Sequence, residues 1–157
     1  MHAAQSSPTA DVRLVRLTDE WLEAVLTIEQ QAHSHPWTRG NFTDSLKAGY
    51  AVQVLLQNET VLGYFVAMQG VDEVHLLNIT VASEHQGRGW GQWLLAALSI
   101  WACSLNAHVL WLEVRVSNAR ALQLYERYGY QRVGLRKQYY PLSAGQREDA
   151  VVMSLKL

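Results

Sequence analysis

Cysteine is nearly missing: the 157 residues contain one, Cys103. A single thiol makes no internal disulfide and no multi-thiolate metal site, which suits a reducing compartment. Three prolines are present, and two phenylalanines stand against six tryptophans and seven tyrosines, so most of the ring area carries a polar tip suited to half-wet surfaces. No sign of charge dominates. Thirteen Lys and Arg against fourteen Asp and Glu leave a formal net charge of -1 and a pI near 6.6, which excludes a strong electrostatic footprint for duplex nucleic acid or an anionic membrane. The longest apolar run, Trp93 to Cys103, is interrupted by Ser99 and is too short to span a bilayer. The opening stretch has no basic region followed by an apolar run, so no signal peptide is expected and the expected location is cytoplasmic.

What is present is enough apolar matter for a core: 49% apolar against 17% charged residues describes a globular chain, and the length suggests one domain. Residues 1–10 read as a polar tail and 11–157 as the domain. A weak strand over Val12–Leu17 precedes a helix opened by Thr18 and running to about Ala32, and Thr38 can cap a second helix that stops at Gly49. The period then changes. Tyr50–Gln57 and Val61–Gln69 read as a hairpin about Asn58-Glu59-Thr60, and Glu73–Ala82 as a third strand. A long helix to about Leu105 follows, with Trp90, Trp93 and Trp101 on its expected core face and Cys103 expected in core packing. A strand over His108–Val116, a helix over Ala119–Tyr128 and strands over Gln131–Tyr139 and Glu148–Leu157 complete the order β-α-α-β-β-β-α-β-α-β-β. That pattern predicts a single-domain α/β (α+β) fold with a mixed, mostly antiparallel sheet of about seven strands and about four helices on its faces.

Gln86-Gly87-Arg88-Gly89-Trp90-Gly91 lies between a strand and a helix. Close glycines let the backbone turn tightly, and the helix N-terminus adds unpaired N–H groups, so the segment can cradle a phosphate or pyrophosphate; a turn that merely tolerates glycine is the alternative. The Gly-Lys-Ser/Thr of a P-loop is missing. A dinucleotide Gly-x-Gly-x-x-Gly also fails, because its last place falls on Gln92 or Leu94.

Gln-x-x-Gly-x-Gly, with Gln86, Gly89 and Gly91, resembles the acetyl-CoA loop of the GNAT family of N-acetyltransferases. Ala32-His-Ser-His-Pro-Trp37 with Phe42, Leu77-Asn-Ile-Thr-Val81, Leu112-Glu-Val-Arg-Val-Ser-Asn118, Leu124-Tyr125 with Gly129, Tyr139-Tyr-Pro141 and Arg147-Glu-Asp-Ala150 with Met153 resemble its RimI-type branch. The resemblance covers nearly the whole chain after the tail. It implies a cytoplasmic enzyme that acetylates the N-terminal alanine of a small-subunit ribosomal protein, with acetyl-CoA as cosubstrate, no metal, and a GNAT-like sheet that splays after Ile79–Val81. By the same resemblance Ile79, Thr80 and Val81 would pair with the pantetheine, Gly87, Arg88, Gly89, Trp90, Gly91 and Gln92 would meet the pyrophosphate, and Asn118 would add a further cofactor contact. The general base falls on Glu113 and the general acid on Tyr125.

The chemistry is consistent with these positions. An N-terminal α-amine titrates at about 7.7–8.0, so roughly a tenth is neutral at pH 7 and a carboxylate, acting directly or through water, suffices as base. Glu113 interrupts an otherwise strongly apolar strand; the alternative is a strand-face Glu pairing with Arg115. From Glu113 the strand climbs roughly 13 Å to Ser117, and seven residues of helix return roughly 10 Å to Tyr125, which can bring both to one level. Tyr125 could instead be half-buried packing beside Leu122 and Leu124. Pro36, Trp37, Tyr139 and Tyr140 are candidates for lining the peptide cleft, as rings at loop ends offer rigid contact area. His33 and His35 lack a third ligand, and His75, His85 and His108 read as solvated or core histidines at strand ends. The remaining readings are an acetyltransferase for a lysine side chain or small amine, and a non-catalytic CoA-binding module. Oligomeric state is not legible.

Overall fold

The change of hydrophobic period after Gly49 is a true boundary between a helical opening and a strand-rich remainder. The computed structural model describes residues 11–157; the polar stretch 1–10 lies outside them. In chain order the elements are β1 (Val12–Arg16), α1 (Asp19–Ala32), α2 (Arg39–Lys47), β2 (Ala51–Gln57), β3 (Thr60–Gln69), β4 (Glu73–Val81), α3 (Trp90–Ser104), β5 (Val109–Arg115), α4 (Ala119–Tyr128), β6 (Gln131–Pro141) and β7 (Arg147–Lys156). This is the order expected from the sequence. Two short 3-10 turns, Ser83–His85 and Ser143–Gly145, were not expected.

The seven strands form one sheet in the order β1-β2-β3-β4-β5-β7-β6. β1 and β2, β5 and β7, and β6 and β7 pair antiparallel. β4 and β5 pair parallel, as strands joined through a crossover helix must. Their ladder holds four pairs, from Glu73 opposite Val109 to Leu76 opposite Leu112, and so ends before Ile79–Val81, earlier than the point where splaying was expected.

The packing groups the residues into two compact units. One comprises the described residues up to Val66 with Asn78–Trp90; the other comprises Ala67–Leu77 with Gly91–Leu157. In the first, helical spacing on α1 buries Leu22, Val25, Leu26 and Ile28. Phe42 of α2 is fully buried, its ring 5.1 Å from that of Trp37 and 5.9 Å from that of Tyr64. Thr38 starts α2 with a capping box: its Oγ1 accepts from the Asn41 N–H (3.2 Å), and Asn41 Oδ1 accepts from the Thr38 N–H (2.9 Å). Thr18 opens α1 without a side-chain cap.

In the second unit, β5 alternates strictly. Leu110, Leu112 and Val114 are buried, while Trp111, Glu113 and Arg115 share the other face. The buried positions of α3 include Leu94, Leu95, Leu98 and Ala102. Trp90 is buried too, but Trp93 and Trp101 are only half-buried, and Cys103 is exposed rather than in the core. The reason is geometric: α3 is apolar on more faces than it buries, so composition alone misassigned its stripe. Gly129 ends α4 at φ +127°, where any side chain would be strained.

Truncating Phe42 to Ala removes a fully buried ring and should cost about 3–5 kcal/mol. Urea unfolding should show this as a lower midpoint with an unchanged m-value.

Candidate active site

A carboxylate placed on a strand face and shielded from water needs donors, and Glu113 has them. Its side chain is only 6% exposed; Oε1 lies 2.7 Å from His75 Nε2 and Oε2 lies 3.2 Å from Arg136 Nε. Glu113 is therefore paired, but not with Arg115. Arg115 instead reaches Glu148 (3.3 Å), donates to the Pro141 carbonyl (2.9 Å) and covers the Tyr140 ring at 4.6 Å. The histidine contact was not legible in the sequence. The parallel register sets His75 opposite Trp111, and the two rings stack at 3.6 Å and 8°. His75 thus lies inside β4 rather than at its end, and is the core histidine of the two alternatives, a buried partner of Glu113.

Tyr140 reaches the strand that carries the first of the sequence-predicted catalytic residues: its hydroxyl donates to the Glu113 backbone carbonyl at 3.1 Å. Tyr125 is buried, not half-buried, with its ring centroid 5.8 Å from that of Tyr130. Burial, then Tyr140, pushes the Tyr125 phenol above its ordinary value, so at neutral pH it is a protonated donor. Tyr139 stands edge-on to Tyr140 at 5.0 Å and under the Arg136 guanidinium at 5.4 Å. Glu113, Tyr125, Tyr139 and Tyr140 thus gather in one unit.

The glycine loop divides its labour. Gly87 and Gly89 take φ of +78° and +90°, and a Cβ at either would meet nothing within 4 Å. Their conformation requires glycine, and their backbone faces open space. Gly91 serves packing instead, because a Cβ there would come within 3.2 Å of the Leu124 side chain. Gln92 Nε2 donates to the Leu124 carbonyl at 3.4 Å, tying the start of α3 to the residue before Tyr125. Gln86 braces the loop by donating to the Val81 carbonyl at 3.1 Å. Arg88 is exposed, and Trp90 is buried where α3 begins. Asn118 caps α4, its Oδ1 accepting from the Ala121 N–H at 3.1 Å.

A second buried carboxylate, which sequence reasoning missed, organises the other unit. Glu29, 1% exposed, accepts from the Trp37 N–H (3.0 Å), the Tyr64 hydroxyl (2.7 Å) and Asn78 Nδ2 (3.1 Å). Thr80 donates to Asn78 Oδ1 (2.8 Å), so its oxygen must accept from His33 Nε2 at 2.8 Å. One network therefore holds both the Trp37 segment and Thr80 near the end of β4. Pro36 is exposed beside it. The signal available was a Glu on the apolar stripe of α1, between Ile28 and the turn at Pro36. Among the described residues no three His, Cys, Asp or Glu side chains converge to hold a metal, and no helix is long and apolar enough to cross a membrane.

Residues 19–130 match the acetyltransferase (GNAT) family. The chain belongs to that family, whose members draw the acetyl group from acetyl-CoA. Among its relatives is the [ribosomal protein bS18]-alanine N-acetyltransferase of Haemophilus influenzae, 39% identical over 135 residues that cover 86% of this chain and 92% of that one. The enzyme of the same description from Escherichia coli K12 is 38% identical over 136 residues, covering 87% and 91%. The crystal structure of the ribosomal-protein-S18-alanine N-acetyltransferase from Escherichia coli superposes with a TM-score of 0.83 at 36% identity, covering 92% of this chain and 93% of that one.

Four of the seven tyrosines, Tyr64, Tyr125, Tyr130 and Tyr140, have phenols raised chiefly by burial. The unfolded chain releases these protons near pH 10 while the folded chain keeps them, so stability present below about pH 10 falls as pH rises beyond it. Phenolate absorbance in an alkaline titration should show these four ionising only as the far-UV circular dichroism is lost.

Proposed function

We propose that this protein transfers the acetyl group of acetyl-CoA to the N-terminal alanine α-amine of ribosomal protein bS18, by direct attack in a ternary complex. The observation that carries this reading is the shielded Glu113 carboxylate in the same unit as a buried, protonated Tyr125, in a chain 38–39% identical to enzymes of that description. Residues 11–157 act as one catalytic domain.

The neutral α-amine nitrogen attacks the thioester carbonyl carbon. Glu113 takes the proton that this nitrogen sheds, directly or through one water. The C–S bond then breaks, and Tyr125 stabilises the departing sulfur by hydrogen bonding and gives it a proton. A thiol with an unperturbed value of about 8.5 is a better leaving group than a free amine, which sets the direction of collapse. No acyl-enzyme is required: the cysteine, Cys103, is exposed on α3, with no role in this sequence of steps.

Ile79, Thr80 and Val81 present the edge of β4 to the pantetheine as an added strand would. Gln86 holds the loop, and Gly87, Arg88, Gly89, Trp90, Gly91 and Gln92 form the turn and helix start that receive the pyrophosphate; the positive φ of Gly87 and Gly89 and their open surroundings support this. Asn118 contributes from the start of α4. Pro36 and Trp37, braced by Glu29, and Tyr139 and Tyr140 contact the acceptor peptide. A free lysine has a pKa of about 10.4 and offers far less neutral amine at pH 7 than an α-amine, so a single carboxylate favours the latter.

Glu113→Gln and Tyr125→Phe should each bind acetyl-CoA within about two-fold of the parent and lose about 100-fold or more in kcat. Mass spectrometry of Ala-, Ser- and Met-initiated peptides beside polyamines should show acetyl on the alanine-initiated peptide first. Preferential acetylation of lysine side chains or polyamines would overturn the acceptor assignment.

A further inference from the structure

A glutamate has three rotatable bonds, and a general base must be held within about half an ångström of its working position. In this chain the restraint comes from a file of side chains. Glu73 Oε2 accepts from Trp111 Nε1 at 2.8 Å; the Trp111 indole stacks flat on His75 at 3.6 Å; and His75 Nε2 meets Glu113 Oε1 at 2.7 Å. An ionised carboxylate only accepts, so Nε2 carries the proton and donates. Arg136 holds the other oxygen, but its side chain is 49% exposed, whereas that of His75 is 11% exposed and fixed by the stack. An apolar ring at position 75 would stack on Trp111 equally well, so packing does not explain the choice of histidine.

We propose that His75 is a positioning residue that orients the Glu113 carboxylate for proton abstraction, with Arg136 as the second point of the clamp. Each Glu113 oxygen gives one lone pair to the clamp and keeps another to take the proton of the α-amine. This rests on Glu113 being the base.

Two substitutions separate the donor from the ring. His75→Phe keeps the stack and removes the N–H; His75→Gln removes the ring and keeps an N–H. With the full chain, acetyl-CoA and an alanine-initiated peptide, His75→Phe should lower kcat about 10- to 100-fold with both KM values within about two-fold. His75→Gln should recover kcat to within about five-fold of the parent. Glu113→Gln measured alongside reports on the base itself, and adding His75→Phe to it should cause no further loss in kcat. Full kcat in His75→Phe, or an equal loss in both position-75 variants, overturns the positioning role. If Glu113→Gln is nevertheless impaired, Glu113 stands as base and only the clamp falls; if Glu113→Gln turns over normally, the base assignment fails and the clamp with it.

Discussion

Taking a carboxylate out of water costs several kcal/mol unless its oxygens find donors, and this protein does so twice. Glu29 on α1 and Glu113 on β5 have 1% and 6% of their side chains exposed. Each gathers donors from distant parts of the sequence, and each sits where candidate site residues converge. Much of the local geometry follows from satisfying these two groups: the path of the chain at Trp37, the orientation of Asn78 and Thr80, and the rings of His75 and Trp111.

The two carboxylates are satisfied differently. Glu29 takes neutral donors, a backbone N–H, a phenol and an amide, so its network braces a loop and a strand end, with the His33 ring 3.7 Å away. Glu113 takes an imidazole and a guanidinium. Such charge-assisted contacts are directional and hold both oxygens of the carboxylate in one place. The aromatic surplus in the composition has its explanation here as well. Trp111, Tyr139 and Tyr140 surround Arg136, Arg115 and the Glu113 backbone with rings whose polar tips or faces engage charge, work that phenylalanine, without a donor, does less well.

The glycines of the loop show how one motif can hold two constraints. Gly87 and Gly89 are required by dihedral angle and Gly91 by the nearness of Leu124. A substitution at the third position would disturb the seating of α3 against the residue preceding Tyr125, so packing joins the Gln92 hydrogen bond in linking the loop to the candidate acid.

Element order, the two glycine-ended helices and the loop between β4 and α3 were legible in the chain because they depend on local periods and on caps such as Thr38, Asn118 and Gly129. Glu113 stood out for a similar reason, as it interrupts an apolar strand, whereas Tyr125 was singled out only by the family resemblance. The partners of Glu113 were not legible. His75 lies 38 residues away and reaches it only through the parallel register of β4 and β5, while Arg136 arrives from a strand whose ladder shifts register between Arg132 and Gly134. Glu29, the exposure of Cys103 and the partial exposure of Trp93 and Trp101 escaped for the same physical reason. Which side of an element faces the core, and which donors meet a buried charge, is decided by the pairing of segments far apart in sequence, whereas a helix start, a turn or a strand is decided by the residues beside it.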